Sequence, residues 1–566
     1  MRPALVVAIA CCAAVFGITG VQAQQVPDAG SILRDQPRPP VRPAVPVPPI
    51  QVEKPAPPAP DSGPRIVVKG FRFEGATLFP ADVLAAQLKE AVGVERSFSE
   101  LRTLALVLVG YYAQNGYLAR VILPPQDVKD GIVTFRVIEG RRGSMQINSK
   151  GERLDAARIE SFIDRRLARG DLMSLTRLGE SLSVLNEQPG ISVKSALTPG
   201  KGEGDIDLAV EAVEQPLVSY SLSGNNQGSR ATGPGQVSGS VTLNNPSGRF
   251  DSASVLVNAS DGTTFGRLDY GLAVGASGLR LGVNASHLDY KLVQPNFAAL
   301  QSRGTAATTG LTASFPLVRG SGLNLSLTGA LDDKRLRDET VAGETSKRHV
   351  TVANIGINGS SPDALAGGGL NAYGLSVSLG EVDQKNAGAL AGDDVSRRVQ
   401  GKYRKLAWNY GRIHPLSETL SLNATLRGQF ASKNLDSTER FVLGGPTAVR
   451  AFPVGEAVGD EGWLLSVNLS QQFGEKLSAN VFIDHGEVKL NRNLWDNWNA
   501  GNPQLRNRYA LTGAGIGVAW QLATQVSVNA SVAAPVGGNP GRDLSGSNAD
   551  GTRIKPRAWV SLTAQF

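Results

Sequence analysis

The sequence predicts a transmembrane β-barrel of about sixteen antiparallel strands, preceded by two small α+β domains and an N-terminal helix on a proline-rich linker. Three observations lead to this fold class. An N-terminal apolar run followed by small residues predicts export from the cytoplasm. After that run, no stretch approaches the ~18 consecutive apolar residues of a spanning helix. From residue 215 to the end, apolar residues recur at every second position, which is the period of a β-strand.

Residues 1–23 are predicted to be a signal peptide. Arg2 precedes the apolar run of residues 4–18, and small residues then fit cleavage by a signal peptidase before Gln24. Both of the chain's cysteines lie within this segment. We therefore expect a mature chain without disulfides or thiol chemistry.

Residues 24–64 divide into two parts. Residues 27–36 have the composition of a short helix, whereas residues 37–64 are so rich in proline that we expect an extended, semi-rigid linker. The alternative is an N-terminal segment without fixed structure. Composition alone leaves both interpretations open.

Residues 65–140 are predicted to form a domain with the order β-α-α-β-β. Its first strand is expected over residues 66–73. Ser97 and Glu100 have the spacing of a capping box, in which each side chain accepts a hydrogen bond from the other residue's backbone N–H, and they begin the second helix. The last strand, over residues 132–139, alternates apolar and polar positions.

Residues 141–214 repeat this order with different residues. A helix over residues 156–167 precedes a second helix whose leucines recur at helical spacing, and strands over 191–197 and 206–213 complete the sheet. A domain of this length can form an independent, modest core. We therefore expect both domains to bury their own cores without help from the barrel.

Residues 215–566 alternate strands and turns without an intervening helical pattern. Residues 420–426, for example, place apolar and polar side chains in strict alternation. A soluble sandwich shows the same pattern, but a membrane barrel places its apolar face on lipid and its polar face in a wet lumen. The signal peptide and the aromatic last residue, Phe566, favour the barrel. Phe566 is the expected C-terminal strand signal.

Two short motifs place an arginine and a carboxylate in the predicted barrel. The first motif consists of Val449, Arg450, Ala451 and Phe452, and the second of Phe482, Asp484 and Gly486. Charges in a narrow lumen are poorly hydrated, and the guanidinium fork of Arg450 can donate two hydrogen bonds to Asp484. We therefore predict a salt bridge between them. The alternative is two unrelated extracellular charges.

The sequence offers no candidate catalytic residue, metal site or cofactor site. Its four histidines show no metal-ligand spacing. His485 follows Asp484, but neighbouring side chains on a strand face opposite sides, so a catalytic pair is not expected. The net charge of +7 is not concentrated in a dense Lys/Arg run, so we expect no nucleic-acid partner.

The tandem β-α-α-β-β domains, the C-terminal barrel and the two motifs resemble the transporter component of two-partner secretion. This is the haemolysin and filamentous-haemagglutinin secretion/activation family, within the outer-membrane assembly superfamily. The resemblance covers essentially the whole mature chain. It implies that residues 65–140 and 141–214 are two periplasmic POTRA domains, and that residues 24–64 supply a plug helix that lies through the barrel.

The resemblance also implies a role for the two motifs. In the family, a Val-Arg-Gly-aromatic tip on a long loop enters the lumen, and its arginine meets the aspartate of a Phe-x-Asp-x-Gly motif on the barrel wall. This chain matches both motifs except at Ala451, where the family usually has glycine. If the tip needs a positive φ there, alanine would be strained.

The function implied is that of a passive outer-membrane pore. The POTRA domains would capture an exported partner, a large β-helical exoprotein, and the barrel would translocate it to the cell surface or medium without ATP. The other implied partners are outer-membrane lipid and the barrel assembly machinery that inserts the strands. The resemblance implies no enzymatic activity. The alternative is an assembly or insertion factor of the same superfamily, although such factors usually carry more POTRA domains.

Overall fold

The computed structural model describes residues 26–37, 65–553 and 555–566. The predicted signal peptide and residues 38–64 of the predicted linker lie outside these ranges. Among the described residues, no helix is long and apolar enough to cross a membrane.

The helix predicted over residues 27–36 is present as α1 (Ala29–Arg34). Asp28 caps it, because its carboxylate accepts a hydrogen bond from Ser31 N while the Ser31 hydroxyl accepts one from Asp28 N. Two backbone N–H groups without partners in the helix are thereby satisfied. A helix this short is unstable alone in water, so α1 depends on its contacts with the rest of the molecule.

The first α+β domain consists of β1 (Ile66–Val67), β2 (Gly70–Glu74), α2 (Ala81–Ala86), β3 (Glu95–Arg96), α3 (Phe98–Gln114), β4 (Ala119–Ile122) and β5 (Ile132–Glu139). β2, β5 and β4 form the sheet in that order, with β2 parallel to β5. The single strand predicted over 66–73 is wrong, because the chain changes partners at Val68, whose N–H bonds to Val94 O. The predicted capping box at the start of α3 is confirmed.

The first domain contains a buried carboxylate, that of Glu139 at the end of β5. It accepts hydrogen bonds from Thr77 N at 2.8 Å, Leu78 N at 2.7 Å and the Tyr112 hydroxyl at 2.9 Å. Burial raises the pKa of Glu139, but a hydrogen bond from the Thr77 hydroxyl, together with these three bonds, outweighs burial and holds its pKa below the ordinary value. The folded domain therefore favours the ionised form of Glu139.

The second domain consists of β6 (Arg141–Lys150), α4 (Ala156–Asp164), α5 (Leu175–Asn186), β7 (Ile191–Pro199) and β8 (Asp205–Glu214). Its sheet has the order β6-β8-β7, with β6 parallel to β8. This is the topology of the first domain. Gly140 alone separates β5 from β6, so the two domains are directly adjacent.

The expectation that the second domain buries its own core is wrong. Phe250 and Ala273, which come from the barrel, belong to the same hydrophobic cluster as α4, α5 and the sheet. The rings of Phe250 and Phe162 meet edge-on, with centroids 5.6 Å apart. Beside this cluster, Arg319 Nε lies 2.5 Å from Glu187 Oε1. The barrel therefore completes this core and fixes the second domain in place.

The predicted barrel is confirmed: sixteen antiparallel strands close on themselves. They are β9 (Val218–Asn225), β10 (Gln236–Asn244), β11 (Ser252–Ser260), β12 (Thr263–Val274), β13 (Leu279–Lys291), β14 (Arg303–Arg319), β15 (Asn324–Thr340), β16 (Gly343–Asp363), β17 (Gly369–Gln384), β18 (Gly401–Pro415), β19 (Leu420–Ala431) and, after two short strands, β22 (Glu461–Phe473), β23 (Leu477–Lys489), β24 (Arg508–Ala523), β25 (Val526–Pro535) and β26 (Arg557–Gln565). The short strands β20 (Phe441–Val442) and β21 (Val458–Gly459) pair with each other outside the barrel sheet.

The last strand closes the barrel against the first. β26 and β9 pair over five residues each. Phe566 extends this contact, since its N–H and C=O exchange hydrogen bonds with Tyr220 at 2.9 and 3.0 Å. The two rings stack with centroids 5.0 Å apart. The aromatic terminus therefore lies at the closure point of the sheet.

Side chains alternate between the two faces of the barrel wall. Outward-facing apolar residues such as Leu222, Ile355 and Ile516 are 57%, 65% and 61% exposed, as a lipid-facing surface requires. The opposite face is mostly polar and lines the lumen. The strand ends that contact the second domain define the domain end of the barrel, and the opposite end is called the far end below.

Candidate functional site in the barrel lumen

The connection between β19 and β22, residues 432–460, folds back into the lumen from the far end and is called the lumen loop. β20 and β21 form its stem. Its tip carries the first predicted motif, in which Val449, Ala451 and Phe452 are at most 1% exposed. They pack in one cluster with Phe482 and Leu511 of the wall. Apolar contacts therefore hold the tip of the loop against the wall independently of any ionic contact.

The structure brings Arg450 and Asp484 together. Arg450 Nη2 donates to Asp484 Oδ1 at 2.7 Å, and Nε donates to Oδ2 at 2.8 Å. The backbone N–H of Arg450 also donates to Oδ2, at 3.1 Å. Asp484 is 0% exposed. A fork-shaped, buried pair of this kind is more strongly held than a surface ion pair.

The other residues of the wall motif shape the seat of this pair. The ring of Phe482 lies under the guanidinium, 3.2 Å from the Arg450 Cζ to the ring centroid, which is cation–π geometry. A Cβ at Gly486 would lie 2.4 Å from Trp463 O of the neighbouring strand β22 and 2.5 Å from Leu443 Cδ1 of the lumen loop. The absence of a side chain at Gly486 therefore lets the loop approach the wall.

Ala451 is not strained. It does not adopt a positive φ, so the expected conflict at the position where the family usually has glycine does not arise. Space comes from the strand next to β23, where Gly513 of β24 pairs with Asp484 and a Cβ at Gly513 would lie 2.5 Å from Ala451 Cβ. The extra methyl group of alanine is thus accommodated by a glycine on the neighbouring strand.

Sequence reasoning missed several partners of the tip. Ser466 and Asn468, on the lumen face of β22, contact the guanidinium at 3.2 and 3.0 Å. Trp559 Nε1 on β26 donates to Arg450 O at 2.8 Å. The Ser/Asn alternation of β22 was visible, but nothing in the sequence indicates which strands the tip would reach. Trp559 carried no signal beyond being an aromatic residue on a strand.

His485 turns to the outer face, as strand alternation predicts. Its Nδ1 lies 2.7 Å from Thr512 Oγ1, and its ring meets Trp463 edge-on at 5.4 Å. Asp484 and His485 thus point away from each other. Among the described residues, no three His, Cys, Asp or Glu side chains are grouped to hold a metal ion.

Helix α1 lies in the far-end half of the lumen. Ala29 N donates to Asp338 Oδ1 of β15 at 2.7 Å, and Asn258 Nδ2 of β11 donates to Gln36 Oε1 at 2.9 Å. Ala29 and Ile32 are 0% and 5% exposed. They pack in a cluster with wall residues of eight strands, β12 to β19, which include Phe265, Leu288, Ala306, Leu336, Val350, Val382, Tyr403 and Ala431.

One wall arginine joins α1 to the lumen loop. Arg348 of β16 pairs with Asp28, the cap of α1. Its Nε also lies 2.9 Å from Asp436 Oδ2 of the lumen loop, and its Nη1 lies 3.6 Å from Asp338 Oδ2. Asp436 is 3% exposed. The helix and the loop therefore share a single buried cation.

A second buried ionic contact ties the lumen loop to two more strands. Glu439 accepts from Lys334 Nζ of β15 at 2.6 Å and from Lys405 Nζ of β18 at 2.5 Å. Glu439 is 6% exposed. The loop is thus anchored at its tip by Asp484 and near its stem by two lysines.

The domain-end half of the lumen has a different lining. Hydroxyl and amide side chains bond across neighbouring strands, as in the pairs Ser221–Ser240 at 2.9 Å and Asn354–Ser378 at 2.8 Å. Other members of this lining are Thr242, Ser254, Thr312, Ser326, Thr328, Asn358, Asn423, Thr425, Ser470, Asn480, Asn529 and Thr563. The buried ionic contacts of α1 and the lumen loop instead lie toward the far end.

Comparison with known proteins identifies related families. The family model described as haemolysin secretion/activation protein ShlB/FhaC/HecB matches residues 204–520, which is more than half of the chain. A second model, described as POTRA domain, ShlB-type, matches residues 66–140. The first covers the end of the second domain and most of the barrel.

Curated relatives match over most of their length. The chain is 28% identical over 495 residues to the heme/hemopexin transporter protein HuxB of Haemophilus influenzae, covering 86% of this chain and 84% of the relative. It is 26% identical over 432 residues to the hemolysin transporter protein ShlB of Serratia marcescens, covering 73% of each.

Solved structures show the same fold at lower identity. CdiB from Escherichia coli superposes with a TM-score of 0.70 and 21% identity, over 92% of this chain and 94% of that one. BamA from Haemophilus ducreyi lacking POTRA domains 1–3 gives a TM-score of 0.51 and 16% identity, over 88% of this chain and 100% of that one. Since both superpose, the fold does not distinguish their functions, and the family match carries that distinction.

Proposed function

The chain belongs to the haemolysin secretion/activation protein family, and we propose from this premise how its parts export a partner protein. It is an outer-membrane transporter of two-partner secretion with periplasmic POTRA domains. Members of this family are transporters. The family match over residues 204–520 is the observation that carries the assignment, and it favours secretion over an assembly or insertion factor.

The cargo is proposed to be a large β-helical exoprotein, captured in the periplasm by the POTRA domains. Each POTRA sheet has three strands and therefore two edges, which are β2 and β4 in the first domain and β6 and β7 in the second. An extended segment of the partner can add to such an edge through main-chain hydrogen bonds. Folding of the partner outside the cell then prevents its return, so export needs no ATP.

The Arg450–Asp484 pair is proposed to anchor the lumen loop to the wall while the pore is at rest. The support is its geometry, since both carboxylate oxygens accept bonds and Asp484 is 0% exposed. Val449, Ala451 and Phe452 pack the tip around the pair. Phe482 and Gly486 shape its seat on the wall.

Helix α1 is proposed to be a plug that leaves when the partner passes. Together with the lumen loop it occupies the far-end half of the lumen, so a polypeptide can cross only after both have moved. Residues 38–64 separate α1 from the first POTRA domain. Because this stretch is long and rich in proline, α1 can change position without displacing that domain.

Two further contacts complete the proposal. The apolar outer face of the barrel contacts outer-membrane lipid. Phe566, at the closure of β26 on β9, is the signal by which the barrel assembly machinery recognises the last strand.

The function is tested by co-expressing the chain with the protein encoded beside it and measuring that protein on the cell surface and in the medium. Deletion of the first POTRA domain should leave the barrel inserted, as judged by its heat-modifiable migration, while the partner accumulates in the periplasm. Unchanged export after this deletion would contradict the capture step. A general loss of other outer-membrane proteins on depletion of the chain would instead indicate an assembly factor.

A further inference from the structure

Among the cations that project from the barrel wall into the far-end half of the lumen, Lys334 of β15, Arg348 of β16 and Lys405 of β18 pair with carboxylates of α1 or the lumen loop and are called the wall triad. Each occupies a lumen-facing position, because residues of the opposite parity, such as Leu331 and Ile355, are more than half exposed on the outer face. The triad side chains are between 10% and 15% exposed. They form one cationic region across neighbouring strands.

The carboxylates that neutralise the wall triad are carried mainly by the elements that must move. Glu439 of the lumen loop bridges Lys334 and Lys405 at 2.6 and 2.5 Å. Asp436 of the lumen loop and Asp28 of α1 both pair with Arg348. On the wall itself, Asp338 lies 3.6 Å from Arg348.

Passage of a polypeptide therefore uncovers the wall triad. When α1 and the lumen loop move, Lys334 and Lys405 lose their shared carboxylate and Arg348 loses two of its three. A partly buried charge left without a counter-charge is costly. The passing chain is the group placed to replace the departed carboxylates.

We propose that the wall triad is a binding site for an acidic segment of the translocating polypeptide. Its aspartates and glutamates replace Asp28, Asp436 and Glu439, so α1 and the lumen loop act as internal occupants of the same site. The triad thereby links entry of the partner to release of the plug. This inference rests on the proposed function. It adds that the far-end half of the lumen selects a negatively charged segment of the translocating polypeptide.

The contrast with the rest of the lumen supports a local site. The domain-end half presents hydroxyl and amide groups, as in the Ser221–Ser240 and Asn354–Ser378 contacts. Such groups bond to a peptide backbone whatever its charge. Selection for acidic side chains is therefore expected at the triad and not at the entrance.

The test uses the full mature chain in planar bilayers. A peptide of alternating Glu and Ser, added on the POTRA side, should raise the open probability about tenfold, which corresponds to a gain of roughly 1.4 kcal/mol for the open state. A peptide of alternating Lys and Ser of the same length should not. Equal effects of the two peptides would overturn the inference.

Two variants with opposite expectations separate the site from a folding defect. Glu439→Gln removes an internal occupant and should increase sensitivity to the acidic peptide. The triple variant Lys334→Gln/Lys405→Gln/Glu439→Gln removes two of the three triad cations together with the carboxylate that they share, so that neither partner is left unpaired, and should reduce the response sharply. If this variant responds like the unaltered chain, the triad is not the site.

The matched control is Arg335→Gln/Arg404→Gln, which removes two cations from the outward-facing parity of β15 and β18. Arg335 is 78% exposed. We expect an unchanged peptide response, and a lost response would show that cations outside the triad are required and would overturn the assignment of the site to the triad. Export of the natural partner is measured in parallel. Export without acidic-peptide selectivity would overturn the inference and leave the transporter function intact.

Discussion

Lysine at position 450 could not reproduce the contacts that the Arg450 guanidinium makes with Asp484 and Phe482. Its Nε and Nη2 donate to the two oxygens of Asp484, and Nη2 also reaches Asn468 Oδ1 at 3.0 Å. The planar face of the guanidinium lies over Phe482. A lysine ammonium is a compact point charge without a flat face or a fixed fork. The site therefore distinguishes arginine from lysine by shape as well as by charge.

Truncation of either member of the Arg450–Asp484 pair should sharply reduce export of the partner. Arg450→Ala leaves Asp484 buried without its counter-ion, at a cost of about 3–5 kcal/mol for a fully buried pair. Asp484→Ala strands the arginine in the same way. Insertion of the barrel should be unaffected, because the strand pattern and Phe566 are unchanged. Secretion assays on correctly inserted variants measure the effect.

The control for this pair must lie outside the lumen. Arg427 is unsuitable, since its Nη2 donates to Thr447 O of the lumen loop at 3.0 Å. Arg508, whose side chain is 63% exposed, is a suitable control as Arg508→Ala. The exchange Arg450→Asp with Asp484→Arg should recover export partly at most, because the fork geometry is lost. Wild-type export by Arg450→Ala would show that the anchor is dispensable.

The fit between Gly513 and Ala451 gives a paired prediction. Gly513→Ala adds a Cβ that would lie 2.5 Å from Ala451 Cβ, so the tip must shift, at a cost of about 1–3 kcal/mol for overpacking. Adding Ala451→Gly removes the clashing atom and should restore export. The remaining neighbours of the new Cβ, Ala451 N and Val449 Cγ1, would be at 3.3 Å, so they need to shift only slightly. Equal defects in the single and double variants would contradict this explanation.

At the scale of single residues, the sequence predicted the two motifs and their charges but not their surroundings. The residue types and order of Arg450 and Asp484 suffice to recognise them. Gly513, Trp559 and Asn468 are far from the loop in sequence and meet its tip only because strand register and loop path bring them there. Such register is set by the whole sheet, so local patterns do not reveal it.

At the scale of elements, periodicity gave the helices and strands but not every boundary. α3 has both a capping box and a long apolar stripe, and its start agrees with the prediction. The strand expected over 66–73 is instead two strands in two sheets. Its residues favour extended backbone in either arrangement, and the change of partner at Val68 depends on contacts with Val94 that are distant in sequence.

Deletion of residues 26–37 should raise the ion conductance of the pore while leaving export largely intact. The deleted segment contains α1, which fills part of the far-end lumen through Ile32 and its neighbours. The lumen loop remains anchored by Asp484, so the increase should be partial. Planar-bilayer recordings test the conductance.

A milder variant than the plug deletion is Gln36→Ala, which removes the acceptor of the bond from Asn258 and the donor of the bond to Ile32 O at the end of α1. It should change conductance less than the deletion does. Conductance equal to that of the complete chain after deletion would mean that α1 does not limit the pore.

The first POTRA domain should lose stability in acid because of Glu139. The pKa of Glu139 is lower in the fold than its ordinary value of 4.5, so the carboxylate stabilises the domain above that pH, and the contribution is lost as pH falls through the folded-state pKa. Glu139→Gln should lower the free energy of unfolding by roughly 1–3 kcal/mol at neutral pH and by less in acid. Urea denaturation of residues 65–140 measures this.

The exposed Glu74 on β2 supplies the comparison for Glu139, as Glu74→Gln. This variant keeps all the bonds that Glu139 accepts, so its unfolding should follow that of the unaltered domain at every pH. A Glu139→Gln domain with the stability and pH profile of the unaltered one would refute the role of the buried carboxylate.

At the scale of the whole molecule, the fold class followed from the sequence but the joint between domain and barrel did not. Alternation over residues 215–566 is a property of each strand, so it indicates a barrel without any knowledge of which strands pair. The core of the second domain is completed by Phe250 and Ala273. Each reads as an ordinary barrel residue in the sequence, and only the folded chain places them against α4 and α5.

The joint predicts that the second POTRA domain depends on the barrel for stability. Phe250 is 0% exposed and packs edge-on against Phe162, so Phe250→Ala opens a cavity between domain and barrel at a cost of about 3–5 kcal/mol. Limited proteolysis of the inserted protein should then cut within residues 141–214 while the barrel stays intact, and the isolated fragment 65–214 should be cut at the same sites.

Phe473→Ala is the matched control, because Phe473 lies at the domain end of β22 but is 54% exposed on the outer face. A Phe250→Ala digest identical to that of the unaltered protein would mean that the domain is held by its polar contacts, such as Arg319–Glu187, and that the shared core is not what fixes the POTRA domains under the pore.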